Sequence, residues 1–159
     1  MPELSDLRDR LQAVESDRDR FHEMAEHMSA VFHLTLTDVS ILLERNGVLV
    51  FRYPQALERC TVPITRKSVA GMTFENNKIY VYNNLTEVEH VELFEKLVRT
   101  EDGTMPVQRI ISCPIPSREG PKGVLQLCRK GKTRDSTQPF VRQDVDRVAE
   151  IAKTCARFL

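Results

Sequence analysis

The chain has no tryptophan, only six glycines in 159 residues and no excess of either charge, since 23 Lys and Arg balance 23 Asp and Glu. Charge balance removes the sequence-wide positive field that draws polyanions, and no dense basic patch stands in for it, so neither nucleic acid nor an anionic membrane is an expected partner. No apolar run approaches the roughly 20 residues that cross a bilayer. Met1-Pro2-Glu3 opens directly into mixed charge, without a basic segment and apolar core of a signal peptide, so the expected compartment is cytoplasmic. Cysteine is sparse and scattered: Cys60, Cys113, Cys128 and Cys155 have no Cys-x-x-Cys spacing, which argues against a zinc knuckle or a dithiol centre. Cys113 and Cys128 sit inside apolar runs and read as small core residues, thiols in a reducing compartment. His22 and His27 bracket Glu23, but five residues at about 100° each set the rings roughly 140° apart on a helix, so no metal site is expected.

What is present fits one globular domain with an appended element. Residues 3 to 33 lack Gly and Pro and place Leu4, Leu7, Leu11, Val14, Phe21, Ala25, Met28 and Phe32 at alternating steps of three and four, with Arg18 in the one gap. A period of 3.5 predicts a continuous amphipathic or coiled-coil helix over 1–33, on the order of 45 Å long. In a parallel pair Glu3 would face Arg8, Arg10 would face Glu15 and Asp17 would face His22, each complementary. The alternative is an amphipathic helix lying on its own domain. A second apolar stripe runs through Val141, Val145, Val148, Ala152, Cys155 and Leu159 in a helix expected from Arg142 to Leu159. The expected homodimer interface is Leu4, Leu7, Leu11, Val14, Phe21, Val148, Ala152 and Cys155.

The 34–159 region reads as a domain built on a sheet. Val39, Ile41 and Leu43 alternate, Asn46-Gly47 supplies the two positive φ angles of a type I′ turn, and Val48 to Tyr53 returns. Thr61–Thr65 is a possible short strand and Lys78–Tyr82 a further one, ended by Asn83-Asn84. Glu87 to Arg99 is expected to be a helix with Thr86 as its cap. Gln108–Pro114 and Gly123–Cys128 are strands joined by a polar turn at Ser117–Lys122. No glycine pattern opens onto a helix, so no phosphate cradle is expected. This order predicts an α+β fold with an antiparallel sheet.

Three stretches resemble a GAF domain: Ser68-Val69-Ala70-Gly71 ahead of Ile79–Tyr82, Cys113-Pro114-Ile115-Pro116 leaving a strand, and Gly123-Val124-Leu125-Gln126-Leu127 leading to Phe140 and Asp144. The likeness covers residues 20 to 159. It implies a central antiparallel sheet with N- and C-terminal helices packed on one face and short helices and loops on the other. It further implies a Lys130–Asp144 ion pair tying a loop to the last helix. The chain departs from the family's phosphodiesterase pattern at Arg129, where Asn is usual, and at Val145, where Glu is usual. Val141 stands where Thr or Ser commonly caps the last helix.

The resemblance also implies a small-molecule pocket near Phe74, Tyr80, Tyr82, Asn84, His90, Arg109, Ser112 and Gln126. No feature singles out a cofactor, and bilin, haem and nonhaem iron have no matching Cys or His motif. The implied function is a noncatalytic sensory or regulatory module that binds a small molecule or partner, acts through a helix-mediated homodimer and signals to a separate effector protein. Two alternatives stay open: a free methionine sulfoxide reductase using Cys113 with Cys60 or Cys128, and a ligand-less domain used only for oligomerisation.

Overall fold

A computed structural model of the chain describes residues 2–85 and 106–159. The expected helix from Glu87 to Arg99, its cap Thr86 and the candidate His90 lie outside the described residues.

The sheet grows from the hairpin. Strands β1 (Val39–Arg45) and β2 (Val48–Tyr53) meet at Asn46 and Gly47, whose φ angles of 52° and 82° are those of a type I′ turn. Gly47 N–H donates to Glu44 Oε1 at 2.9 Å. β3 (Thr61–Pro63), β4 (Tyr80–Tyr82), β5 (Val107–Ile115) and β6 (Gly123–Lys130) complete a six-stranded sheet in the order β3-β2-β1-β6-β5-β4, every neighbouring pair antiparallel. The sheet and its helices form an α+β fold, as expected.

Period-two alternation divides the apolar side chains between the two faces. Val39, Ile41, Ile111, Cys113, Ile115, Leu125 and Leu127 face a helical layer. Leu42, Leu49, Phe51, Ile110, Val124 and Cys128 face the short helix α3 (Val69–Asn76) and the connections around it. Both faces are covered, which is why both core clusters contain strand residues at 0 to 2% exposure.

The helical layer departs from the expected rod. Val14 and Ser16 are extended, and the segment divides into α1 (Leu4–Ala13) and α2 (Asp17–Phe32). Ser16 causes the restart: its Oγ accepts from Asp19 N–H at 3.0 Å, and Asp17 and Asp19 set negative charge against the positive end of α2. α1 then packs on α2 and on the last helix, α4 (Arg142–Ala156). Leu7, Leu11, Phe21, Val148, Ala152 and Cys155 are all buried in this protomer's own core, at 0 to 4% exposure. Their assignment to a dimer seam is thereby corrected, because a side chain already removed from water has no surface left for a twin. Leu4 and Val14 are half-buried. Two of these polar side chains also find partners within the chain: Arg10 meets Glu23 at 3.2 Å, and His22 Nε2 lies 3.2 Å from Glu26 Oε1. The 3.5-residue spacing marked a stripe facing a core, and the core is the sheet.

The implied Lys130–Asp144 pair is likewise corrected. Lys130 Nζ lies 3.3 Å from Asp38 Oδ1 and donates to Thr37 O at 3.1 Å. Asp144 instead accepts from Val141 N–H at 2.8 Å, supplying from inside α4 the cap that the valine side chain cannot. The loop is tied by Arg129, whose guanidinium covers the Phe140 ring at 4.2 Å and donates to Phe32, Gln138 and Pro139 carbonyls. Lys122 Nζ closes the other end of α4 by donating to Ala156 O at 2.6 Å and Leu159 O at 3.0 Å.

Candidate functional site

A polar row crosses the α3 face of the sheet. Tyr80 stands opposite Ser112, Ser112 opposite Gln126 and Gln126 opposite Ser40, so strands β4, β5, β6 and β1 each contribute one member at the same level. α3 is laid over this row by two local devices. Ser68 Oγ caps it by accepting from Gly71 N–H at 2.9 Å. A Cβ at Gly71 would collide with the backbone of Thr65 and Pro63, so only glycine lets the first turn approach this closely. At the far end Asn77 adopts φ 50° and returns its N–H to Phe74 O at 3.3 Å.

Thr73 points from α3 onto the row. Its Oγ1 lies 2.7 Å from Val69 O and 2.7 Å from Ser112 Oγ, and Gln126 Nε2 lies 3.1 Å from that same Ser112 oxygen. Thr73, Ser112 and Gln126 are each 0% exposed and Ser40 is 3%. An aliphatic side chain at each position would be the inexpensive filling, because every buried polar group must recover the hydrogen bonds it loses to water. Gln126 Oε1 is buried and has no hydrogen-bond partner among the described residues.

An aromatic wall borders the row. Tyr80 and Tyr82 leave the same face of β4 and stack with ring centroids 6.2 Å apart and planes inclined by 11°. Asn76 Nδ2 donates to the Tyr80 hydroxyl at 2.7 Å. Burial first and the neighbouring Tyr80 second raise the Tyr82 phenol above its ordinary value, so it stays a neutral donor at physiological pH. Phe74 packs half-buried against this cluster, and Asn84 is half-buried beyond the end of β4.

Of the eight expected pocket residues, Phe74, Tyr80, Tyr82, Ser112 and Gln126 therefore gather on one face. Arg109 does not. Strand alternation turns it away from Ile110 and Ser112, and its guanidinium donates to Asn83 O at 2.7 Å, Thr137 Oγ1 at 2.9 Å and Arg134 O at 3.0 Å. It is a clamp on the β6–α4 loop, with every nitrogen engaged. The sequence reading missed Thr73 and Ser40. Ser40 carried a usable signal, a small polar residue alternating with Val39 and Ile41; Thr73 carried none, because Gly71 hides the eight-residue helix that presents it.

The cysteines are poorly disposed for thiol chemistry. Burial pushes Cys113 and Cys155 up to about 12 and raises Cys128 further. Cys113 faces the helical layer while Cys128 faces α3, so the sheet itself separates them. Among the described residues, no group of three His, Cys, Asp or Glu side chains assembles as a metal site. A concavity of about 400 Å³ lies elsewhere, between α2 and the end of β2, where Arg52 covers Phe21 at 5.1 Å and lies 3.9 Å from Asp17. No helix among the described residues is long and apolar enough to cross a membrane.

In sequence the chain matches no family profile and no curated protein. In structure it matches many solved chains. The GAF domain of an Acinetobacter phosphoenolpyruvate-protein phosphotransferase superposes with a TM-score of 0.75 at 15% identity, over 99% of this chain and 94% of that one. The GAF domain of a two-component sensor histidine kinase from Bacillus halodurans gives 0.64 at 18% identity, over 91% and 94%. A type II free methionine-R-sulfoxide reductase from Thermoplasma acidophilum gives 0.64 at 13% identity, over 96% and 94%. Sheet order, the helical layer on one face and the short helix on the other agree with these likenesses, and the chain has the GAF fold.

Proposed function

We propose that this chain is a noncatalytic sensory or regulatory module that takes a small molecule against the α3 face of its sheet. One observation carries the reading: Thr73, Ser112 and Gln126 form a buried polar line where packing alone calls for aliphatic residues, and one of its acceptors is unused. The Acinetobacter and Bacillus halodurans domains, similar in fold, belong to a phosphotransferase and a sensor kinase and support a regulatory setting. The reductase reading has a structural neighbour, but Cys113 lies on the helical face of the sheet while Cys60 and Cys128 both pack with the α3-face cluster, and burial holds the Cys113 thiol up at about 12.

Output passes through the α1, α2 and α4 layer, to a second copy of the chain and from there to a separate effector. A ligand moves that layer only by binding two arrangements with different affinity. Native mass spectrometry of freshly purified protein tests both halves together. The expected spectrum shows an even subunit number and a retained mass lost on Gln126→Leu substitution. A bare monomer, with no thermal shift across a metabolite panel, would refute the reading.

A further inference from the structure

The hydroxyl protons on the α3 face can be counted. Val69 O only accepts, and Thr73 Oγ1 lies 2.7 Å from it, so the threonine proton must lie between them; two lone pairs would otherwise meet at that distance. A hydroxyl has one proton. Thr73 therefore accepts from Ser112 across their 2.7 Å contact, and Ser112, its own proton spent, accepts from Gln126 Nε2 at 3.1 Å. The chain of donation runs one way, from Gln126 to Ser112 to Thr73 to the Val69 carbonyl. This fixes the Gln126 amide with its nitrogen toward Ser112 and its oxygen away, and that oxygen is the buried atom with no partner among the described residues.

Resting on the small-molecule reading above, we infer that Gln126 is the specificity-determining residue of the site and selects an uncharged ligand that donates a hydrogen bond to Gln126 Oε1. Thr73 acts as a positioning residue, since it sets which end of the glutamine amide is presented. The other buried polar side chains of this face, Ser40, Ser112 and Thr73, are also neutral. Among the described residues no cation stands on this floor to receive a carboxylate or phosphate, and Arg109 is turned to the other face. A buried anion beside Gln126 Oε1 would meet another acceptor and no compensating charge.

The test uses three probes of one shape: benzamide, a neutral N–H donor; N,N-dimethylbenzamide, with no donor; and benzoate, an anion. Each is titrated into the full chain and followed by amide shifts at Tyr80, Ser112 and Gln126. Benzamide is expected to bind about tenfold more tightly than either of the others. Gln126→Met, which keeps length and removes the acceptor, should bring benzamide and N,N-dimethylbenzamide to within about twofold. Thr73→Val is the informative second variant. It frees the Ser112 proton to donate to Gln126, lets the amide turn over, and should admit N,N-dimethylbenzamide through the exposed Nε2. Equal binding of benzamide and N,N-dimethylbenzamide by the native chain, or a benzamide preference unchanged in both variants, overturns the donor requirement and leaves the pocket standing. No shift at any of the three amides with any probe overturns the pocket as well.

Discussion

His27 makes the helical layer sensitive to acid. It is 2% exposed beneath α1, with Arg10 Nη2 3.3 Å from its Nδ1. Burial first and the Arg10 charge second lower its pKa from 6.5 to about 4, against a smaller opposing pull from Asp6. Arg147 and Glu150 of α4 flank the same groove. Because the folded chain binds this proton more weakly than the unfolded chain, stability is full above pH 6.5. It falls as pH drops through the window from 6.5 to 4 and levels off below. A separation of roughly 2.5 between the two values, at about 1.4 kcal/mol per pH unit, corresponds to roughly 3 kcal/mol. That is a large share of the 5–15 kcal/mol typical of a domain. His27→Gln removes the titration while retaining an oxygen that can accept from Arg10. Urea unfolding followed by circular dichroism at pH 7.5, 6, 5 and 4 should show the native chain losing roughly 3 kcal/mol relative to the variant, since the carboxylates common to both cancel. Parallel stability curves across that range would show that His27 is protonated equally in the folded and unfolded chains and would refute the reasoning.

Gly71→Ala should cost about 2 kcal/mol or more, because its Cβ meets backbone oxygens that cannot move aside; a change in urea midpoint below experimental error would refute the close approach. Lys130→Met takes the cation from Asp38, which keeps its two bonds from Thr35, and should cost about 2 kcal/mol, whereas Asp144→Ala removes a helix cap and should cost about 1 kcal/mol; a reversed order would count against Asp38 as the partner of Lys130. Ellman's reagent should modify Cys60 in the native chain and all four thiols in urea, and fast native labelling of Cys113 would reopen the reductase reading.

The strands were legible because their signals are local. Asn46-Gly47 demands a hairpin by its φ angles alone, and the alternation of Val39 with Ile41 and of Leu125 with Leu127 marks the face that meets helices. The first helix was misread because a 3.5-residue repeat specifies a stripe and not what covers it. Ser16 and the two aspartates after it were the capping signal, masked by unbroken helix-forming composition across Val14 and Glu15. The Lys130 partner was illegible for another reason: Asp38 and Asp144 are both distant in sequence, and only the path of the chain between α2 and β1 brings the first within 3.3 Å. The family resemblance implies Arg109 in the pocket, but one position of strand alternation turns it to the opposite face, where it donates to Asn83 O at 2.7 Å.

That same alternation joins the candidate site to the helices. Ser112 lies between Ile111 and Cys113, and Gln126 between Leu125 and Leu127; all four neighbours are buried under the helical layer. A backbone shift at the polar row must therefore displace side chains beneath α1, α2 and α4, because a close-packed interior has little empty volume to absorb it. α4 packs directly on β5 and α1 packs on α4, so the two contacts form one continuous path. The break between α1 and α2 matters here. A rigid 45 Å rod would average a small displacement over its length, whereas a helix of ten residues, held by Leu7, Leu11 and the Arg10 contacts, can respond as a unit. If hydrogen exchange of α1 were unchanged by Leu125→Ala, which removes packing directly behind Gln126, the path from sheet to helices would not exist.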